Sequence, residues 1–194
     1  MHEHSAASIV ERTRVSLAPM RWRAVRGKGR SRNLGFSVQR QMHSNWCWVA
    51  VATSVARYYN PESKWTQCAV ANRKLGRRDC CGNGVNGKCN VTGHLKESLA
   101  LVRHAERRPE LKSIGRISFN RVQREIDAGR PLGVRTQWRG SESAHVLVIM
   151  GYHSEFELLS IEDSLFGSSH WHYHAFWQNY RHSGQWKNSY YTKP

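Results

Sequence analysis

The chain has 194 residues, a length that predicts one domain with a substantial hydrophobic core. Its 39% hydrophobic content and eight tryptophans are typical of a globular protein and exclude a disordered one. The net charge is +16, and no apolar run approaches the roughly 20 residues that cross a bilayer. We therefore expect a basic globular domain without a membrane span, and composition leaves its oligomeric state unknown.

The N-terminal segment is strongly basic. Its first 40 residues contain nine arginines or lysines against two glutamates, and RWRAVRGKGRSRN has no apolar period. This pattern predicts that residues 1–35 form a flexible basic arm or pro-segment, whose anionic partner could be nucleic acid or a lipid surface. No nucleic-acid fold signature accompanies the arm. A cleavable signal peptide is not visible, so export as a secreted or delivered effector would use another route, and a cytoplasmic location stays open.

Helices are predicted next along the chain. Apolar residues at helical spacing predict a helix over 46–59, with Asn45 as its N-cap and Pro61 beyond its end. The intervening stretch DCCGNGVNGKCN predicts a loop. Further helices are expected over 66–75, 94–105 and 118–129.

The rest of the chain favours strands. PLGVRTQW, AHVLVIMGYH and FELLSIED predict three strands, HAFWQNYRHSGQW a last short helix, and SYYTKP a closing strand. A helical first half and a strand-rich second half predict an α+β fold of two packed lobes. A functional site is expected in the cleft between them.

The stretch QMHSNWCWVA places Cys47 between two tryptophans, in the first turn of the predicted helix. Unpaired N–H groups and the positive end of the helix dipole favour a thiolate there. Cys47 is either a nucleophile or a buried apolar residue of a core helix.

A thiol nucleophile needs a base and a group that orients the base. His145 opens an apolar strand, and Asp163 ends the next strand eighteen residues later, so antiparallel pairing would set them side by side. Gln41, six residues before Cys47, is the candidate side-chain oxyanion donor, with the backbone N–H of Cys47 as its partner. The predicted catalytic set needs no cofactor and no metal. The alternative is a core cysteine, a surface histidine and a turn aspartate.

These motifs resemble those of papain-like cysteine peptidases. NWCWVAVA, AHVLVIMGY and IEDSLFG are most similar to the bacterial branch that includes plant-pathogen avirulence effectors, and the resemblance spans about residues 38–194. It implies a papain-like domain over 36–194 and thiol proteolysis, with Gln41, Cys47, His145 and Asp163 as oxyanion donor, nucleophile, base and orienter. Two departures are SESAH, where relatives often carry glycines before the histidine, and Ser164, where a proline often follows the aspartate.

Four further cysteines lie in the loop-rich stretch: Cys68, Cys80, Cys81 and Cys89. An even number there predicts two disulfides and an oxidising compartment, with Cys68 bonded to one of the other three. One alternative is a zinc site that includes His94, although the cysteine spacing lacks a CxxC knuckle. The other is that all four cysteines are free thiols.

The run HWHYH places His170, His172 and His174 on one face if it forms a strand. Three imidazoles on one face could bind zinc or copper. No carboxylate or cysteine lies close in sequence, so a solvent-facing strand with Trp171 and Tyr173 packed inward is favoured.

Three functions fit these features. The leading one is an endopeptidase acting on a protein or peptide, as a bacterial effector, toxin or processing protease. The second is a deamidase or acyl-transfer toxin that uses the same triad. The third is a nucleic-acid-binding module that uses the basic arm, which would be salt-sensitive and indifferent to Cys47→Ala.

Overall fold

The computed structural model describes residues 29–82, 87–105 and 115–194. Most of the predicted basic arm lies outside the described residues. Within them, no helix is both long and apolar enough to cross a membrane. The elements, in chain order, are β1 (Ser31–Asn33), α1 (Cys47–Tyr59), α2 (Gln67–Leu75), α3 (Leu95–Leu101), α4 (Phe119–Asp127), β2 (Leu132–Trp138), β3 (Ala144–His153), β4 (Leu158–Glu162), β5 (Ser169–His172), α5 (Tyr173–Asn179) and β6 (Gly184–Tyr190).

Six strands form one antiparallel sheet in the order β5-β4-β3-β2-β6, with β1 added at the C-terminal end of β3. Strands β3 and β4 pair as the sequence predicted, with Val148 opposite Glu162. This pairing brings the residue after β4 close to the first residues of β3. The described chain is therefore α+β, with helices α1 to α3 in one lobe and the sheet in the other, in the papain-like arrangement.

Helix α1 is the centre of the helical lobe. Its nine consecutive residues from Trp48 to Ala56 are all buried, so the helix is enclosed on every side. Two polar side chains within it are satisfied locally, since the hydroxyls of Thr53 and Ser54 donate to the carbonyls of Val49 and Ala50. A helix enclosed in this way holds its first residue in a fixed position, in the cleft that the first residues of β3 also line.

The element boundaries differ from the sequence predictions at a few places. Strand β1 and the buried Leu34 lie inside the segment that had been assigned to the basic arm. The closing strand begins at Gly184, earlier than SYYTKP. His174 lies in α5, not on the strand with His170 and His172, because the chain turns into a helix at Tyr173. The three imidazoles therefore do not share a strand face.

The structure has two disulfides: Cys68–Cys81 joins α2 to the loop before α3, and Cys80–Cys89 joins two points of that loop. Disulfides had been predicted without a definite pairing. Asp79 lies close to the sulfur atoms of Cys80 and Cys89. Sulfurs joined to each other offer no thiolate to a metal, so the zinc alternative does not fit this arrangement.

Candidate active site

Cys47 is the first residue of α1 and is the free cysteine of the chain, half-buried at the cleft between the lobes. The N-cap is Trp46, not Asn45 as predicted, and no acidic residue occupies the first turn. The helical hydrogen bonds begin with Val49 and Ala50, which donate to the carbonyl of Trp46. The N–H of Cys47 therefore lies ahead of the helix's own hydrogen bonds, where the positive dipole end favours an anionic sulfur.

The two tryptophans that flank Cys47 are held by one segment, residues 89–91, which we name the clamp segment. The indole N–H of Trp46 donates to the carbonyl of Cys89 at 2.8 Å, and that of Trp48 donates to the carbonyl of Val91 at 3.0 Å. Gly93 then packs against the ring of Trp48, where a Cβ atom would lie 2.5 Å from Cε2. Each tryptophan thus anchors one side of Cys47.

Asn90, in the middle of the clamp segment, binds the residues just before Cys47. Its Oδ1 accepts from the backbone N–H of Asn45 at 2.9 Å, and its carbonyl accepts from Nδ2 of Asn45 at 2.8 Å. Its own Nδ2 donates to Oγ of Ser44 at 2.8 Å. Since Cys89 is bonded to Cys80, a disulfide anchors the segment that holds the nucleophile turn.

His145 lies near the start of β3 with only 5% of its surface exposed. Its Nε2 lies 2.8 Å from Oδ1 of Asp163. The side chain of Cys47 is close enough to the ring to raise the pKa of His145, and Nδ1 is the ring nitrogen that Asp163 leaves free. The structure therefore brings Cys47, His145 and Asp163 together in the order that a thiol nucleophile, its base and an orienter require.

Asp163, directly after β4, is buried with both carboxylate oxygens occupied. Besides His145, Oδ1 accepts from the backbone N–H groups of Leu165 and Phe166 at 2.8 and 3.0 Å. Oδ2 accepts from the hydroxyl of Tyr180 at 2.7 Å. Burial alone raises the pKa of Asp163, but the hydrogen bonds and the charge of His145 outweigh it and hold the pKa below its usual value.

The same contacts act on the imidazole. Burial lowers the pKa of His145, but the hydrogen bonds with Asp163 and Cys47 and their charges outweigh it and raise the pKa to about 9. At neutral pH the protonated ring is therefore favoured, facing a sulfur at a helix start and a carboxylate.

Gln41 is buried beside the triad and is bonded on both ends of its amide. Nε2 donates to the carbonyls of His43 and Ser44 at 2.9 and 2.7 Å, and Oε1 accepts from Oγ of Ser164 at 2.9 Å. Its backbone N–H donates to the carbonyl of Ser164 at 3.1 Å. Gln41 thus joins the turn before Cys47 to the turn after Asp163.

The cleft has a volume of about 350 Å³ and is lined by residues of both lobes. Two aromatic rings cover the histidine, with Trp138 stacked at a centroid distance of 6.3 Å and Phe166 edge-on at 5.9 Å. These rings shield the bond between His145 and Asp163 from water. Leu165 also lines the cleft, and both Leu165 and Phe166 are exposed apolar side chains beside the triad.

Sequence reasoning missed Tyr180 and Asn90. Tyr180 is fully buried, and nothing in HAFWQNYRHSGQW separates a tyrosine that binds Asp163 from an ordinary core aromatic residue. Asn90 stands in a loop where asparagine is a common turn residue. The carbonyls that bind the two indoles could not be predicted from the sequence either. The two tryptophans around Cys47 did indicate that the turn is held on both sides.

A papain-like α+β fold with a cysteine at a helix start facing a histidine defines a cysteine peptidase. The chain belongs to the Peptidase_C39 like family, whose model matches residues 33–193. No curated protein matches the chain. Membership of this family makes the protein a peptidase, a hydrolase whose substrate is a protein or peptide.

Proposed function

We propose that the protein is an endopeptidase in which Cys47, His145 and Asp163 are nucleophile, base and orienter. The observation that carries the proposal is the buried contact of His145 with Asp163 at 2.8 Å, with Cys47 lining the same cleft as the ring. The remaining sides of the ring are covered by aromatic residues.

In the proposed reaction, the Cys47 thiolate attacks the carbonyl carbon of the scissile peptide bond. The N–H of Cys47 stabilises the oxyanion, and we propose Gln41 as the second donor, which requires it to release one of its two bonds to the turn carbonyls. The C–N bond breaks as His145 gives its proton to the leaving amine. Water then attacks the thioester, His145 accepts its proton, and the acid and the thiolate are released.

The setting of this activity is also proposed. Two disulfides support an oxidising compartment, which suits a secreted or delivered effector, a toxin or a processing protease. An anionic partner for the basic arm stays a prediction.

The test is to incubate the wild type, Cys47→Ala and His145→Ala with a diverse peptide library and to identify products by mass spectrometry. Hydrolysed internal peptide bonds are expected with the wild type only, because nucleophile and base act as one unit. Asp163→Asn is expected to retain more activity, since an amide oxygen still accepts from the imidazole. Products that carry only deamidated glutamine or a transferred acyl group would overturn the endopeptidase in favour of the second candidate. Full activity in His145→Ala would show that the proposed catalytic triad is wrong.

A further inference from the structure

Arg135 is a cation in the catalytic cleft. It lies in the middle of β2, half-buried, and lines the same cleft as Cys47 and His145. Its one hydrogen bond to another side chain of the described residues is a long contact of 3.5 Å from Nη1 to Oε1 of Gln137. No carboxylate of the described residues lies within ion-pair distance of its guanidinium. Since a half-buried guanidinium usually has an anionic partner, this cation is available to a ligand.

Tyr190 supplies a second donor next to it. In the antiparallel pairing of β2 with β6, Tyr190 lies opposite Gly133 and Arg135 lies opposite Asn188. Arg135 and Tyr190 are thus diagonal neighbours on one face of the sheet, within reach for long side chains.

Tyr190 also lines the cleft, and its hydroxyl has no hydrogen-bond partner among the described residues. Burial raises the pKa of Tyr190 although the charge of Arg135 opposes it, so the phenol stays protonated and able to donate.

From this pair we infer a subsite for a substrate carboxylate, formed by the Arg135 guanidinium and the Tyr190 hydroxyl. The inference rests on the proposed peptidase function. A planar guanidinium binds a carboxylate through two parallel hydrogen bonds, and a neighbouring phenol adds a third. Glu142 is the acidic residue among the cleft-lining residues described, but it is exposed at the rim, where solvent and salt screen it more than the half-buried Arg135.

The carboxylate has two chemical sources, an internal Asp or Glu side chain and a free C-terminus. One arm of the experiment uses peptides amidated at the C-terminus that contain internal Asp or Glu, matched to the same peptides with Asn or Gln. The other arm uses neutral peptides with free or amidated C-termini. In both arms, kcat/KM is measured for the wild type, Arg135→Met, Tyr190→Phe and the control Arg139→Met, which removes an exposed arginine outside the cleft lining.

We expect the wild type to prefer carboxylate peptides in one arm. In Arg135→Met the ratio of kcat/KM for carboxylate over neutral peptides should fall by about 10- to 100-fold. Tyr190→Phe is expected to lose less, and Arg139→Met nothing. Met preserves the packing of the arginine stem, and a thermal melt verifies the fold. Equal use of carboxylate and neutral peptides by the wild type in both arms would overturn the subsite.

Binding separates this inference from the proposed function. Affinity of Cys47→Ala for the same peptides is measured by fluorescence anisotropy, which needs no turnover. A carboxylate preference in binding that disappears with Cys47→Ala/Arg135→Met would support the subsite even if the wild type cleaves nothing, an outcome that would defeat only the peptidase proposal. No carboxylate preference in binding would overturn the subsite even where cleavage is seen.

Discussion

The hydroxyl of Tyr180 donates a hydrogen bond of 2.7 Å to the carboxylate oxygen of Asp163 that His145 leaves free. Tyr180→Phe removes this donor and leaves a buried oxygen unpaired, which should lower the free energy of unfolding at pH 7 by about 1–3 kcal/mol. Asp163 has a depressed pKa in the folded state, so its contribution to stability is present above the unfolded pKa and is lost as the pH falls through the folded one. The penalty of Tyr180→Phe should therefore shrink towards pH 3.

Urea denaturation over a pH series measures this effect. Tyr59→Phe is a matched control, because it removes a buried hydroxyl that bonds with Thr192 far from the triad. We expect both variants to lose stability, but only Tyr180→Phe to lower kcat, since only Tyr180 holds the carboxylate that orients the base. Equal kcat values in the two variants would show that Tyr180 is merely structural.

The raised pKa of His145 predicts the alkaline limb of activity. The charged ring contributes stability that is fully present below its ordinary pKa of 6.5 and is lost as the pH rises through about 9. Turnover by the ion pair should fall over the same upper range. NMR titration of the His145 ring should show a lower pKa in Cys47→Ala, where one hydrogen bond and one negative charge are gone. An unchanged His145 pKa in Cys47→Ala would show that the thiol does not interact with the ring.

The reactivity of Cys47 tests the thiolate directly. Iodoacetamide should alkylate Cys47 already at mildly acidic pH if it is the activated nucleophile that we propose. His145→Ala should slow the reaction at that pH, because the imidazolium that favours the anion is lost. The measurement is the alkylation rate by mass spectrometry, with the four disulfide cysteines as an internal unlabelled reference. Labelling that begins only at alkaline pH would contradict an activated nucleophile.

The role of Gln41 is open to a two-sided test. As an oxyanion donor, Gln41→Ala should lower kcat by about 10²–10³-fold, the usual scale for one lost donor. Alkylation of Cys47 by iodoacetamide forms no oxyanion at a carbonyl, so its rate should change much less. A parallel fall in both rates would mean that Gln41 acts by bracing the turn through His43 and Ser44.

The two disulfides should have different consequences. Removing either bond should lower the free energy of unfolding by roughly 2–5 kcal/mol. Cys80→Ala/Cys89→Ala should also lower kcat and the alkylation rate of Cys47, because Cys89 anchors the clamp segment. Cys68→Ala/Cys81→Ala is the matched control and should leave both rates near those of the wild type in conditions where each protein is folded. If both double variants lowered kcat equally, the clamp segment would have no specific effect on Cys47.

The sequence predicted the α+β class and most elements because these depend on local signals such as apolar spacing and turn residues. It also named Cys47, His145 and Asp163, since residue type, position at an element's end and order along the chain are all visible. Asn90, Tyr180 and Arg135 could not be assigned roles, because their partners lie far away in sequence and come together only through packing. The last helix was predicted to start at His174 and starts at Tyr173, because α5 packs on β5 and β6, a tertiary effect that outweighs the alternation of HWHYH.

Because the bond between Cys80 and Cys89 forms only where thiols can be oxidised, the geometry of this site depends on the redox conditions around the chain. Glutathione and thioredoxin keep cytosolic thiols reduced, and disulfides persist outside that environment. A newly made chain in a reducing cytosol would lack the anchor of the segment that holds Trp46, Asn45 and Ser44 around the nucleophile. Reduction of this one bond should therefore loosen the turn before Cys47, so the geometry of the site depends on the redox state of its surroundings.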